Sequence, residues 1–194
     1  RAVQCAMGVL DAAAHAAAAH DGVPEGSEGR GVGDGVTGAV VVIAGDVPML
    51  DAGTLGELLA AHHADGNAVT VLTTEVEDAT GYGRIVRDAS TGEVLSIVEH
   101  RDATPEQREI REINSSIYVF DAAVLRHGLG NLDRDNSQGE VYLTDVLAIA
   151  RSQGGSVRAL RTDDPFLVEG VNDRVQLAVL GAEMNRRILA DWMA

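Results

Sequence analysis

The stretch "VVIAGDVPML", residues 41–50, decides the fold. A run of β-branched and small apolar residues ends in Gly45-Asp46, and Pro48 follows. Such a run reads as a strand buried on both faces, as in parallel sheets covered by helices. Ligands of open α/β sheets sit outside the carboxyl ends of their strands. Asp46 stands at such an end, and Gly45 lets a ligand approach the backbone. A carboxylate there suits a hard divalent cation that also binds phosphate oxygens. It equally suits an Asx-type turn before Pro48. On spacing alone both readings stand.

Working outward, strand and helix signals alternate. The apolar strand spans 38–45. A helix follows over 51–66, with Leu55, Leu58 and Leu59 on one face and Gly66 at its end. Residues 68–76 form a second strand. Residues 82–88 and 93–100 are short alternating segments around "ASTG", a hairpin. Thr104, Pro105 and Gln107 spell a capping box. A strand over 113–120 leads to a helix from Asp121. Then come a helix over 142–154, a strand over 156–162 and a long helix over 173–193. The pattern predicts an α/β domain with a mostly parallel central sheet and a small antiparallel insertion. Residues 2–20 read as a helix without an opening cap, so a segment is expected upstream. Residues 22–38 are Gly-rich and acidic and read as a mobile loop. "GRGVGDG" within them neither follows a strand nor opens a helix, as a phosphate loop would.

The chain has 194 residues, a formal charge of −15 and a pI near 4.6, which argues against nucleic acid and against an anionic membrane surface as partners. All 15 basic residues counted as Lys or Arg are arginine, so the chain supplies neither a Schiff-base nor a phosphate-loop lysine. The single cysteine, Cys5, rules out an intrachain disulfide. With no signal pattern and no membrane-length apolar run, the expected location is cytoplasmic.

Five further motifs carry candidate chemistry. "GYGRI" (81–85) offers the backbone of Gly83 to a sugar or phosphate, or is an ordinary turn. Glu99 ends a strand in "IVEH" and accepts from a ligand hydroxyl, or is merely solvated. Asn114 in "EINSSIYVF" donates and accepts, as sugar hydroxyls require, or serves a turn. In "GEVYLTD" (139–145), Tyr142 and Thr144 line a pocket, or are core and helix cap. In "VEGVNDRVQL" (168–177), Asn172 is a ligand group or an N-cap.

In this order and spacing the motifs resemble N-acetylglucosamine-1-phosphate uridylyltransferases. The closer likeness is to the uridylyltransferase part of the actinobacterial bifunctional enzymes that also carry an N-acetyltransferase. It runs through nearly the whole chain outside 22–38, and "SIVEHRDATPEQREIREINSSIYVF" is its most specific stretch. The resemblance implies a Rossmann-like nucleotidyltransferase fold and the formation of UDP-N-acetylglucosamine and pyrophosphate from UTP and N-acetylglucosamine 1-phosphate. It implies Mg2+ on Asp46 and Asn172. It implies sugar contacts from Gly83, Glu99 and Asn114, and a pocket wall of Glu140, Tyr142 and Thr144. It also implies that the family's first strand–helix unit, with its basic nucleotide loop, lies outside this chain. Residues 1–172 then form a partial nucleotidyltransferase domain, inactive or weakly active alone. Residues 173–194 form a connector towards a β-helix domain that builds the family's homotrimer. The alternatives are a relative with another nucleotide or hexose, and a non-catalytic sugar-nucleotide-binding module.

Overall fold

The computed structural model describes residues 3, 6–8, 11, 35–132 and 142–193. One sheet holds β1 (Ala39–Val42), β2 (Val69–Glu75), β3 (Arg84–Arg87), β4 (Val94–Val98), β5 (Glu112–Asp121) and β6 (Val157–Arg161). The helices are α1 (Ala52–Ala64), α2 (Pro105–Arg108), α3 (Ala122–Gly130), α4 (Asp145–Ser152) and α5 (Arg174–Met193), with a 3-10 turn at Pro165–Leu167. Five strands fall inside the segments their sequence patterns mark, and β5 extends one residue past its segment, 113–120, at each end. The caps follow from short polar side chains reaching free amides. Asp51 accepts from Thr54 N at 2.7 Å, and Asp121 accepts from Ala123 N and Val124 N. Thr104 and Gln107 close the reciprocal capping box.

The strand order is β4-β3-β5-β2-β6, with β1 also paired to β5. β1, β2 and β6 run in one direction, and β2–β6 is a parallel ladder. β5 runs the other way between β1 and β2, so its ladders are antiparallel. β3 and β4 form the expected antiparallel hairpin. β5 is covered on both faces, so its apolar run carries none of the alternation by which antiparallel strands are ordinarily told apart.

The core lies on both faces of the sheet. Val69, Val71, Tyr118, Phe120 and Val157 pack with Leu125, Leu129, Val146 and Leu147 of α3 and α4. Leu72, Ile117 and Val119 point the opposite way, against Leu58 of α1 and Leu167. Alternate residues of one strand thereby serve opposite layers. The same geometry corrects one expectation. His62 and His63 both read as surface residues, yet only His63 is exposed. His62 falls on the inward stripe of α1 after Leu55 and Leu58. It is 4% exposed, with Nδ1 3.1 Å from Thr70 Oγ1, which also accepts from Asn67 Nδ2 at 3.1 Å.

One irregularity positions everything functional. Val71 pairs with Tyr118, whereas Thr73 pairs with Asn114, so β5 takes four steps while β2 takes two. The extra residues form a bulge, and Ser116 there has φ 61°. On the other edge of β5, β1 ends opposite Tyr118 and β3 begins opposite Ile113. Between them lies a notch with Asn114 to Ile117 along its floor.

Candidate active site

The bulge is written in "NSS". Asn114 Oδ1 accepts from Ser116 N at 3.1 Å. Ser115 Oγ donates to Leu72 O at 2.6 Å and accepts from Ile117 N at 3.1 Å. Short polar side chains satisfy the backbone that the interrupted ladder leaves open. Strand β5 is thereby held in a shape a regular strand cannot take.

Two adjoining cavities open at the notch. The first, about 290 Å³, is lined by Glu99, Asn114, Ser116, Tyr118, Tyr142 and Thr144, among others. The second, about 110 Å³, is lined by Asp46, Tyr82, Asn114, Ser116, Gly170 and Asn172, among others. They share Ala44, Asn114 and Ser116.

In the first cavity, Asn114 is buried and its Oδ1 also accepts from Tyr118 Oη at 2.9 Å. Its Nδ2 makes no hydrogen bond among the described residues. Burial pushes the Tyr118 phenol well up, so it stays a neutral donor. Burial also raises the Glu99 carboxyl, with Asp102 and Asp145 adding to the effect. Gly83 is buried between them. A Cβ on it would stand 3.0 Å from Ile97 Cγ2, 3.4 Å from Asn114 Cβ and 3.4 Å from Glu99 Oε1. Its carbonyl accepts from Asn114 N at 2.9 Å.

Thr144 occupies the N-cap position of α4 but makes no capping bond. It is 7% exposed, and its Oγ1 is buried without a partner. Buried hydroxyls are ordinarily satisfied. This one is available to whatever enters the cavity.

In the second cavity, Asp46 and Asn172 face each other across Gly170. A Cβ on Gly170 would stand 3.2 Å from Asp46 Oδ2 and 3.9 Å from Asn172 Nδ2. Val171 N donates to Asp46 O at 2.9 Å, which ties the two loops together. The Asx-turn reading of Asp46 finds no support, since its carboxylate accepts no hydrogen bond among the described residues. The N-cap reading of Asn172 fails for a plainer reason. The cap of α5 is Asp173, whose Oδ1 accepts from Val175 N and Gln176 N at 2.8 Å each. Both side chains are exposed oxygen donors, a set that suits a hard cation retaining its own waters. Among the described residues, no cluster of three His, Cys, Asp or Glu side chains stands at metal-binding spacing.

Seven of the eight residues read from the sequence therefore converge on the notch. Glu140 lies outside the described residues. Sequence reasoning missed Tyr82, Ser116 and Gly170. Tyr82 was visible as the residue between the glycines of "GYG". Its hydroxyl is pushed up by burial, then by Glu169 and Asp46. Ser116 was signalled by the consecutive Asn-Ser-Ser inside a strand. Gly170 had no signal beyond being glycine. No helix among the described residues is long and apolar enough to cross a membrane.

The chain is 60% identical over 158 residues to the bifunctional protein GlmU of Pseudarthrobacter chlorophenolicus, covering 81% of this chain and 32% of that protein. It is 50% identical over 193 residues to the protein of the same name from Kineococcus radiotolerans, covering 100% of this chain and 34% of that one. The chain thus spans about a third of the length of the curated relatives it matches. Among solved structures, CMP:2-keto-3-deoxy-manno-octonic acid synthetase complexed with CTP has a TM-score of 0.54 at 16% identity, covering 77% of this chain and 62% of that one. At that identity the likeness speaks for the fold alone. Residues 17–164 match the nucleotidyl transferase family, and they contain β1 to β6 and every cavity-lining residue named above except Gly170 and Asn172. With the α/β sheet and its bulged notch in the same frame, the chain belongs to the nucleotidyl transferase family.

Proposed function

We propose that the notch binds N-acetylglucosamine 1-phosphate, and that the protein containing this chain transfers a uridylyl group from UTP to it, releasing pyrophosphate. One observation carries this reading. A cavity of hydroxyl-binding groups adjoins a pair of hard oxygen donors, and the two share a wall.

In this reading the sugar lies in the larger cavity. Glu99 accepts from a sugar hydroxyl, Asn114 Nδ2 donates to another, and Thr144 Oγ1 and Tyr142 meet the acetamido side, with Glu140 near them by its place in the motif. Gly83 leaves room for the ring, because any side chain there would crowd Glu99 and Asn114. The phosphate points towards Asp46 and Asn172, which would hold a magnesium ion. When bound, that ion supplies neutralisation of phosphate charge and orientation of the triphosphate.

A sugar phosphate is already an anionic nucleophile at neutral pH, so no protein base is required. Its oxygen attacks the α-phosphorus of UTP in line, the bond to the β-phosphate oxygen breaks, and pyrophosphate leaves with the electron pair. The chain's residues contribute alignment, which accounts for much of the rate in such transfers. Glu99 fits as an acceptor rather than an acid. Its desolvated carboxylate lacks hydrogen bonds that a ligand hydroxyl restores.

Calorimetric titration with N-acetylglucosamine 1-phosphate and with glucose 1-phosphate, each with and without Mg2+, tests the reading. The N-acetylated ligand should bind tighter, Asn114→Ala should weaken binding of both, and Mg2+ should strengthen binding in the wild type but not in Asp46→Asn. Equal binding of both sugars would point to another hexose, and insensitivity to Asn114→Ala would remove the notch from the proposal.

A further inference from the structure

Away from the notch, a third cavity of about 340 Å³ is lined by Arg84, His100, Arg108 and Arg111 together with Glu77, Asp78 and Glu109. Arg84 is the unusual member. It is 2% exposed, yet it stands within 4 Å of no carboxylate among the described residues. Its guanidinium donates to Tyr82 O, and its second amino nitrogen lies 3.3 Å from His100 Nδ1. Its Nε is buried with no partner at all.

A buried charge is ordinarily paired, because desolvating it alone is costly. The anomaly is sharper in a chain of net charge −15, where carboxylates outnumber arginines two to one. Asp78 is the carboxylate whose field reaches Arg84, but it is occupied by Thr80 N at 2.9 Å. Arg108 lines the same cavity and makes no ion pair among the described residues. Three guanidiniums and an imidazole on one wall set present far more donors than the neighbouring backbone uses. Arginine's planar fork matches tetrahedral oxyanions well.

We propose that this cavity binds a phosphate group, gripped by Arg84 and Arg108 with His100 as a third donor, at a site separate from the notch. The volume exceeds that of a lone phosphate and leaves room for a small body carrying the group. The exposed carboxylates Glu77 and Glu109 would accept hydrogen bonds from that body's hydroxyls. The inference does not depend on the identity of the sugar in the notch.

The test is thermal unfolding of the chain in inorganic phosphate and, in a second arm, ribose 5-phosphate, against sodium chloride at equal ionic strength. At about ten times Kd the melting temperature should rise by roughly 3–6 °C. The rise should survive Asn114→Ala, which disables the notch, and vanish in Arg108→Glu, an exposed substitution that leaves the core intact. A tighter response to ribose 5-phosphate than to phosphate identifies a phosphoester as the natural occupant, and the reverse identifies free phosphate. The Nε–Hε resonance of Arg84, assigned by its loss in Arg84→Lys, should shift on titration with either. No thermal response, or any other pattern across the two variants, overturns the proposal. Failure here leaves the notch reading untouched, because that reading is tested through Asn114 and Asp46.

Discussion

Replacing Thr144 by valine should make the protein more stable and bind its ligand less well. The two side chains share a branched shape, so packing at this nearly buried position changes little. What changes is the hydroxyl, whose Oγ1 is buried without a partner. An unmet buried hydroxyl costs roughly 1–3 kcal/mol of desolvation, which the valine avoids. In a chain of this length each 1 kcal/mol moves the melting temperature by about 2–4 °C. Differential scanning calorimetry of the unliganded variant should therefore show a rise of about 2–8 °C, taking roughly 1–2 kcal/mol, the lower half of the energy range.

The sign decides between two accounts of the same residue. Were Thr144 an ordinary helix cap, its loss would cost about 1 kcal/mol and the melting temperature would fall. The absence of a capping bond at α4 argues for the rise. The ligand arm completes the reasoning. With one hydrogen bond to the sugar lost, affinity for N-acetylglucosamine 1-phosphate should drop by roughly 5- to 15-fold. A variant that melts lower than wild type, or that binds the sugar phosphate equally well, refutes the assignment of Thr144 as a ligand group held in waiting.

Three other outcomes follow from the packing and the charges. Glu112 accepts from Arg87 Nε at 2.7 Å and NH2 at 2.6 Å, and from Thr73 Oγ1 at 2.7 Å, so Glu112→Gln should lower the unfolding free energy by roughly 1–3 kcal/mol, read as a lower urea midpoint with m unchanged. Stability should fall with acid in two stages: the His62 imidazole is held below its ordinary pKa of about 6.5 by burial, then by His63, so the unfolded chain takes up protons first and stability declines as pH drops through about 6.5. Glu112 is pushed up by burial but pulled further down by Arg87 and Thr73, so its contribution persists above the usual carboxylate range and disappears below about pH 4.5, and His62→Gln should flatten only the upper stage in pH-dependent denaturation. Gly128→Ala would bring a Cβ to 2.6 Å from Val146 Cγ1, so overpacking between α3 and α4 should outweigh the helix-propensity gain and cost about 1–3 kcal/mol, with Val146→Ala partly restoring the loss in the double variant.

Local features were the most legible in the sequence. The helix expected from Asp121 begins at Ala122 with Asp121 as its cap, and the capping box at Thr104, which involves residues a few positions apart, formed as read. The hairpin around "ASTG" did so too, its turn held by Asp88 accepting from Ser90 N and Thr91 N at 2.9 Å each. Placement of Asp46 and Asn172 in one cavity was also anticipated, through motif order rather than geometry. Properties that depend on distant partners were less accessible. The direction of β5 cannot be read from a strand buried on both faces. The burial of His62 requires knowing that α1 turns that stripe onto Thr70 of β2. The choice of Asp173 over Asn172 as cap of α5 turns on a single residue of register, within the usual latitude of helix boundaries.

The bulge in β5 explains why fold and site cannot be separated here. It adds two residues, an even number, so Asn114 and Tyr118 remain on one face and can bond to each other. An insertion of one residue would have sent the strand beyond it to the wrong layer. Ser116 adopts a left-handed conformation that costs a β-carbon residue on the order of 1 kcal/mol, and the bond from its N–H to Asn114 Oδ1 offsets that strain. Asn114 is thus both a wall of each cavity and the clamp on the backbone that creates them. Its replacement should therefore reshape both cavities at once, so that sugar binding and the Mg2+ dependence of that binding fail together, whereas Thr144→Val should spare the latter.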